Sequence, residues 1–307
     1  MRLIISSFLG GMVILTSPAM AQTSLAKAEN LKLFVEQIVG PMQYPRNYKY
    51  PQELNRTAAW LTEQMRLFSI PCHYQNFNLN QQQYRNVVCR LNAGRSDQVV
   101  IGAHYDVEND ETGVNHNASG VAGVLETAHI MSQNKNRLKH NIEFVFYTLG
   151  AQPYANSEQT GSIRHAKSLK NAEQLTKAVY ILDQIGFYNK DNVQEYPTAL
   201  KWIYPSHANF IAVISNINAR ELGTDYCQNM RKINQLQCER FSLPFNIFEE
   251  SDHLSYAKHD FPAILITDTG HFRDQNRFNA KVEMQRLDYT KMAFVIDGLI
   301  QSLIQVR

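Results

Sequence analysis

Nothing beyond residue 21 of this chain stays apolar for the about 20 residues that a membrane-spanning helix needs, so no transmembrane segment is expected there. A surplus of charge is missing as well: 30 Lys and Arg stand against 28 Asp and Glu, for a net charge of +2. No basic stripe stands out, which argues against nucleic acid as a partner. Cysteine is sparse, with four in 307 residues and none at C-x-x-C spacing, so a thiolate zinc site is not suggested. Repeats, low-complexity tracts and any linker long enough to divide the chain are lacking too, which leaves one domain.

What is present begins with an address. Arg2, an apolar stretch over 3–15 and the small-residue ending Ala19-Met20-Ala21 follow the pattern of a secretory signal peptide. Residues 1–21 are therefore read as that signal, and 22–307 as a single α/β domain with ample length for a large core. The expected location is periplasmic or secreted. In an oxidising compartment the cysteines pair naturally as Cys72 with Cys89 and Cys227 with Cys238. Buried free thiols are the alternative. Cys72 and Cys89 sit in strand-like segments, "PCHYQNFNL" and "YRNVVCRL", that could form a hairpin.

Periodicity supplies the rest of the scaffold. Ala59, Leu61, Met65 and Leu67 recur at helical spacing, which predicts a helix near 52–68. The apolar run 99–103 suits a buried strand, and 119–131 reads as a helix with Asn117 or Ser119 as its cap. "NIEFVFYTL" and "KAVYILDQIGFY" are further strands, the latter ending near Asp183, with the helical "QTGSIRHAKSLKNAEQL" between them. "NFIAVIS" and "FPAILITD" are strand-like, while "NARELGTDYCQNMRKI" and "LDYTKMAFVIDGLIQSLIQ" are helical. This alternation predicts an α/β three-layer sandwich with a largely parallel central sheet.

Ligands of such sheets bind beyond the carboxyl ends of the strands. His104, Asp106, Gln152, Asp183 and Asp268 all fall at or just past predicted strand ends. His104 and Asp106 suit metal ligation by the imidazole, with the carboxylate orienting the ring; a surface His capped by a nearby Asp is the plainer reading. Lys167 and His165 lie on a predicted helix and are expected to be solvated.

The segments "GAHYD", "NHNASGVAGVLETA", "GSIRHAK", "LDQIGFY", "SDHLSY", "FPAILITDT" and "LDY" follow one another from about residue 99 to the C-terminus. In order and spacing they resemble the secreted zinc aminopeptidases with two co-catalytic metals, a family that also contains glutaminyl cyclases and carboxypeptidase relatives. The resemblance implies that family's fold, and peptide N-termini as substrates. It also implies a ligand set that this chain only partly keeps. His104 and Asp106 match the family's His-x-Asp, and Asp183 keeps the third-strand ligand. His116 occupies the place of the metal-bridging Asp. Ala151 and Gln152 occupy the place of a Glu-Glu pair whose first member is the general base. Where a final His is expected, the chain offers Phe278 or Asn279, with His271 several residues too early.

Each replacement has a physical meaning. Two dications at about 3.5 Å repel by roughly 19 kcal/mol at an effective dielectric of 20, and a bridging carboxylate screens that repulsion. Neutral His116 binds one metal through one nitrogen, and Gln152 brings no charge. Asp183 is left as the one recognisable anionic ligand, so at most one zinc ion is expected. His104, His116 and Asp183 form a two-His, one-carboxylate set of the kind found at single-zinc sites, and an empty polar cleft fits the same residues. Ala151 cannot move a proton, and loss of such a base typically costs about 10²–10⁴-fold in rate. Glu158, Glu249, Glu250 and Asp252 are candidate substitutes, Glu158 foremost. Asp252, His253 and Tyr154 are expected near the substrate cleft, while Phe187 and Tyr188 read more simply as packing.

The favoured expectation is an impaired or inactive peptidase homologue with a peptide-binding cleft. A single-zinc aminopeptidase with a rebuilt site comes second. A glutaminyl cyclase comes third, because that subgroup also relies on an acidic ligand and an acidic base that are replaced here. N-terminal sequencing of the exported protein is expected to begin at Gln22, and an intact Met1 would refute the signal reading.

Overall fold

The computed structural model describes residues 24–40, 45–108, 111–196, 201–215, 217–241, 251–273 and 279–306. The predicted signal segment lies outside them. The strands are β1 (Cys72–Leu79), β2 (Gln82–Leu91), β3 (Gln98–His104), β4 (Asn141–Tyr147), β5 (Thr176–Leu182), β6 (Asn189–Val193), β7 (His207–Ala208), β8 (Phe210–Ser215), β9 (Gln237–Phe241) and β10 (Ala263–Thr267). The helices are α1 (Ala28–Val39), α2 (Pro51–Leu67), α3 (Gly120–Gln133), α4 (Gly161–Asn171), α5 (Arg220–Ile233), α6 (His253–Ala257), α7 (Ala280–Arg286) and α8 (Tyr289–Gln305). Helix α1 and the small β6–β7 sheet go beyond the sequence reading.

The main sheet runs β1-β2-β4-β3-β5-β10-β8-β9. Its middle four strands, β4-β3-β5-β10, are parallel. The flanks are mixed: β2 pairs antiparallel with both β1 and β4, and β8 antiparallel with β10, while β9 joins β8 in parallel. Every residue of β3 and β4 is buried, as continuous apolar runs in parallel strands require when both faces are covered. The alternation of side chains divides the interior in two. Val99, Ile101 and Ala103 of β3 join the core of α1, α2, α3 and α8. Val100 of the same strand joins Val145 and Ile181 under Ala166 and Leu169 of α4 and Tyr256 of α6. The result is the three-layer sandwich.

One assignment is corrected here. His165 is not solvated but 2% exposed, because α4 turns Ile163, Ala166 and Leu169 inward and His165 lies on the same face. Its Nε2 sits 3.1 Å from Glu143 Oε1 and its Nδ1 2.6 Å from the Tyr256 hydroxyl, which in turn meets the Tyr147 hydroxyl at 2.6 Å. Burial raises the Glu143 pKa, but the His165 hydrogen bond and charge outweigh it and leave the carboxyl below its usual range. Lys167 is exposed and pairs with Glu158.

Both cysteine pairs form. Cys72 and Cys89 stand directly opposite each other in the β1–β2 ladder, and Cys227–Cys238 ties α5 to the edge strand β9. No described helix is long and apolar enough to cross a membrane. The Cys227–Cys238 bond closes a loop of sequence separation 11, for which loop-closure entropy gives about 3 kcal/mol. Replacing both cysteines by Ala is expected to lower unfolding stability by about that amount. Unchanged urea unfolding would show that the crosslink contributes nothing.

Candidate metal centre

The site is built on two strand ends and one helix entrance. Strand β3 delivers His104 at its last position, 2% exposed. Its Nδ1 lies 3.0 Å from the backbone carbonyl of Asp106, so Nδ1 carries a proton and Nε2 is the nitrogen turned toward Asp183. The Asp106 carboxylate is engaged elsewhere. It accepts the backbone N–H groups of Gly150 and Ala151, each at 3.0 Å, and lies 3.5 Å from His104 Nδ1. The sequence reading had this carboxylate orient the imidazole. The neighbouring carbonyl makes the closer contact with Nδ1, the carboxylate stands 3.5 Å from the same nitrogen, and it also holds the turn after β4 against β3. Glycine is required in that turn, because a Cβ at Gly150 would fall 2.5 Å from the His104 Cβ.

His116 sits in the turn Val114–Ser119 that opens α3, and its neighbours anchor that turn to the end of β5. The Asn117 amide donates to Leu182 O at 2.9 Å, and its oxygen accepts from Gly120 N at 3.1 Å and Gln184 N at 3.0 Å. Asn117 thus caps α3, as one of the two sequence candidates, and clasps the chain on both sides of Asp183. Ser119 donates to Asn115 O at 2.7 Å and accepts from Ile185 N at 3.0 Å. Asn115 accepts from Gly186 N at 3.0 Å and donates to Asp268 Oδ2 at 3.0 Å. Gly120 must lack a side chain, since a Cβ there would meet Asn117 Oδ1 at 2.3 Å and Leu182 O at 2.4 Å.

This lacing brings three donors together. His104 Nε2 and His116 Nε2 each lie 3.7 Å from the same oxygen, Asp183 Oδ1, and the two rings meet edge to face at 4.9 Å. Among the described residues, His104, His116 and Asp183 form a group whose donor atoms all lie within 4.8 Å of one another. Two imidazoles and one carboxylate suit one divalent ion with an open fourth position. They do not suit a pair, because both rings converge on a single carboxylate and supply no anionic bridge.

The remaining candidates divide. Asp252 and His253 are buried at the start of α6, and a Cβ at Gly150 would lie 3.5 Å from Asp252 Oδ2. Burial pushes Asp252 up to about 6 against the pull of His104, and it pushes His253 down to about 4 against the charge of Asp183. Asp268 is fully buried and is likewise raised by burial to about 6. Ala151 is buried at the position of the expected base, with Gln152 half-buried beside it. Glu158 is corrected as a substitute base: its side chain is 64% exposed and bound to Lys167. Asn279, one of the two residues the motif order offers at the lost-His place, is exposed and caps α7 by accepting from Val282 N at 3.2 Å. Phe278, Glu249, Glu250 and the His271 side chain lie outside the described residues. Tyr154 packs edge-on against Tyr48 at 5.3 Å. Phe187 and Tyr188 are buried, with Arg286 over the first ring and Arg273 and Lys291 over the second.

Sequence reasoning missed the supports of the His116 turn. Arg46 is buried and donates to Tyr105 O, Ile38 O and Gly113 O, and burial lowers its pKa to about 10. Gly113 at φ +67° has no room for a side chain, because a Cβ would meet Val107 Cγ1 at 2.1 Å. Glu283 accepts from Asn115 N at 3.0 Å and from the Thr112 hydroxyl. Glu111 places Oε2 3.4 Å from His116 Nδ1. None of these four sits at a spacing that sequence alone marks as part of a site.

Sandwich architecture and a donor group at the carboxyl ends of the parallel strands define a metallopeptidase-type scaffold. Peptidase family M28 matches residues 86–292, and the chain belongs to that family. The uncharacterized protein YfbL of Escherichia coli (strain K12) is 33% identical over 272 residues, covering 85% of this chain and 83% of YfbL. Among solved structures, the LapA aminopeptidase of Legionella pneumophila is similar at a TM-score of 0.73 and 17% identity, covering 91% of this chain and 72% of that one. Porphyromonas gingivalis glutaminyl cyclase is similar at a TM-score of 0.68 and 20% identity, covering 92% of this chain and 99% of its own.

Burial lowers the His104 pKa, but the hydrogen bonds and charges of Asp106 and Asp183 outweigh it and hold the imidazole well above its ordinary 6.5. A metal ion must displace that proton, so zinc binding is expected to weaken by about tenfold for each pH unit below the raised value. Competition titrations at several pH values check this. Affinity that stays flat on acidification would remove His104 from the ligand set.

Proposed function

We propose that this protein is an exported, single-zinc member of family M28 that holds peptide N-termini in its cleft and hydrolyses them slowly or not at all. The observation that carries the reading is the sharing of Asp183 Oδ1 by His104 and His116, each at 3.7 Å. Bound there, zinc would supply Lewis acidity to a peptide carbonyl. The chain's own residues explain the impairment. Ala151 has no group with which to take a proton or return it to a leaving amine, and Glu158 is turned to solvent. With Asp183 neutralised in part by the metal, the buried carboxylate of Asp252 is the negative group that would complement the α-ammonium of a peptide. Location in the periplasm or beyond follows from the signal-like N-terminus and agrees with the two disulfides.

A second reading, a rebuilt single-zinc aminopeptidase, draws on Asp252. This buried carboxylate lies beside the turn that packs on His104, where it could take over proton transfer from the missing Glu. Likeness to glutaminyl cyclase is a likeness of fold and adds no third mechanism.

Two measurements separate the readings. Under the favoured one, purified protein holds at most one zinc per chain, binds peptides with a free N-terminus and releases little nitroanilide from aminoacyl substrates. Introducing His116→Asp, Ala151→Glu and Gln152→Glu together is then expected to raise that release. Under the second reading, chelator-sensitive release is brisk in the parent protein and is lost in Asp252→Asn. Two zinc ions per chain with rapid hydrolysis would overturn both.

A further inference from the structure

The His116 imidazole lies between two carboxylates, with Nε2 3.7 Å from Asp183 Oδ1 and Nδ1 3.4 Å from Glu111 Oε2. We infer that Glu111 is the positioning residue of a rebuilt metal ligand, orienting His116 and returning to the site the negative charge that an imidazole at this position does not bring. The inference rests on the single-zinc reading and names a residue outside the ligand set.

Both imidazoles have a carboxylate behind Nδ1. At His104 it is Asp106 at 3.5 Å, beside the closer Asp106 carbonyl at 3.0 Å. At His116 it is Glu111 at 3.4 Å. A carboxylate facing Nδ1 favours the tautomer with its proton there, which points the lone pair of Nε2 toward Asp183 and the metal group. Both side chains are largely shielded, at 11% exposure for His116 and 21% for Glu111, so solvent screens the pair only in part.

The backbone that presents Glu111 is held at both ends. Val107 N donates to Arg46 O at 2.8 Å, and Arg46 donates to Gly113 O at 3.0 Å. Glu111 N donates to Glu108 O at 3.0 Å. Beyond it, Glu283 takes the Thr112 hydroxyl and Asn115 N. The loop therefore delivers its carboxylate beside the one residue of the 115–119 turn whose side chain joins the metal group.

Charge balance points the same way. One zinc on His104, His116 and Asp183 leaves a net charge of +1 on the set, and Glu111 behind His116, like Asp106 behind His104, sets a negative charge one imidazole away. With a carboxylate at position 116 the balance would already be met, and Glu111 would repel it.

The test is zinc affinity, read by competition with a chromophoric chelator, with thermal unfolding of the metal-free protein as the folding control. Glu111→Gln is expected to weaken zinc binding by about 10–100-fold. In the His116→Asp background the same change is expected to leave affinity unchanged or raise it. A merely structural role for Glu111 would give equal losses in both backgrounds, and that result overturns the inference. So does unchanged affinity in Glu111→Gln while His104→Ala abolishes binding, a pattern that leaves the single-zinc reading standing. Zinc bound no better by the parent protein than by a His104→Ala, His116→Ala variant ends both. Glu158→Gln, on the far exposed pair with Lys167, serves as the unaffected control.

Discussion

The grip of the Asn117 side chain on the chain either side of Asp183 is the contact on which the site depends. One amide donates to Leu182 O and accepts from Gln184 N while also capping α3 at Gly120. Two separate pieces of chain are thereby fixed to each other: the end of β5 with the residues that follow it, and the start of α3. Asn117 is fully buried, so breaking any of these bonds would leave polar groups without water, at about 1–3 kcal/mol each. Asp183 holds its place through its neighbours' backbone, which keeps its carboxylate available to the two imidazoles. Ser119 and Asn115 repeat the device one step further along, at Ile185 and Gly186.

How much of this was legible in the sequence follows from the kind of force involved. The parallel strands showed as apolar runs because burial on both faces demands it, and α2, α3, α4, α5 and α8 showed through helical spacing or caps. His104, His116 and Asp183 could be placed because each lies at a strand or helix end inside a recognisable motif. The parts that stayed hidden depend on contacts between distant residues. Arg46 reaches Tyr105 and Gly113, and Glu283 reaches Asn115 across a separation of 168, with no local pattern to announce either. His165 misled because a single imidazole on an amphipathic helix does not reveal which boundary residues turn inward. Only the facing Glu143 on β4 explains its burial. Asn279, offered by the motif order at a lost-ligand place, spends its short amide on capping α7.

Electrostatics sets a second constraint on the cleft. Asp106, Asp183, Asp252 and Asp268 crowd the carboxyl ends of the central strands: Asp183 raises the cost of charging Asp252 and Asp268, and Asp106 that of Asp252. Burial carries Asp252 and Asp268 to about 6, so the folded protein holds their protons more tightly than the unfolded chain does. The two groups therefore oppose folding above about pH 6 and cease to do so as the pH falls towards the ordinary carboxylate range. A divalent cation would relieve the same crowding at neutral pH, so a metal would act on stability as well as on reactivity.

Scaffold and chemistry are separable here for a local reason. Asn115, Asn117 and Ser119 direct their side chains into the β5 end and the loop beyond it, while His116 faces His104 and Asp183. Exchanging a carboxylate for an imidazole at position 116 thus disturbs none of the hydrogen bonds that build the turn. Ala151 is similar: its backbone N–H binds Asp106 whatever side chain it bears. The family's architecture can therefore persist while the side chains that face the site change. Similarity of fold follows the lacing behind the site, and reactivity follows the few side chains in front of it.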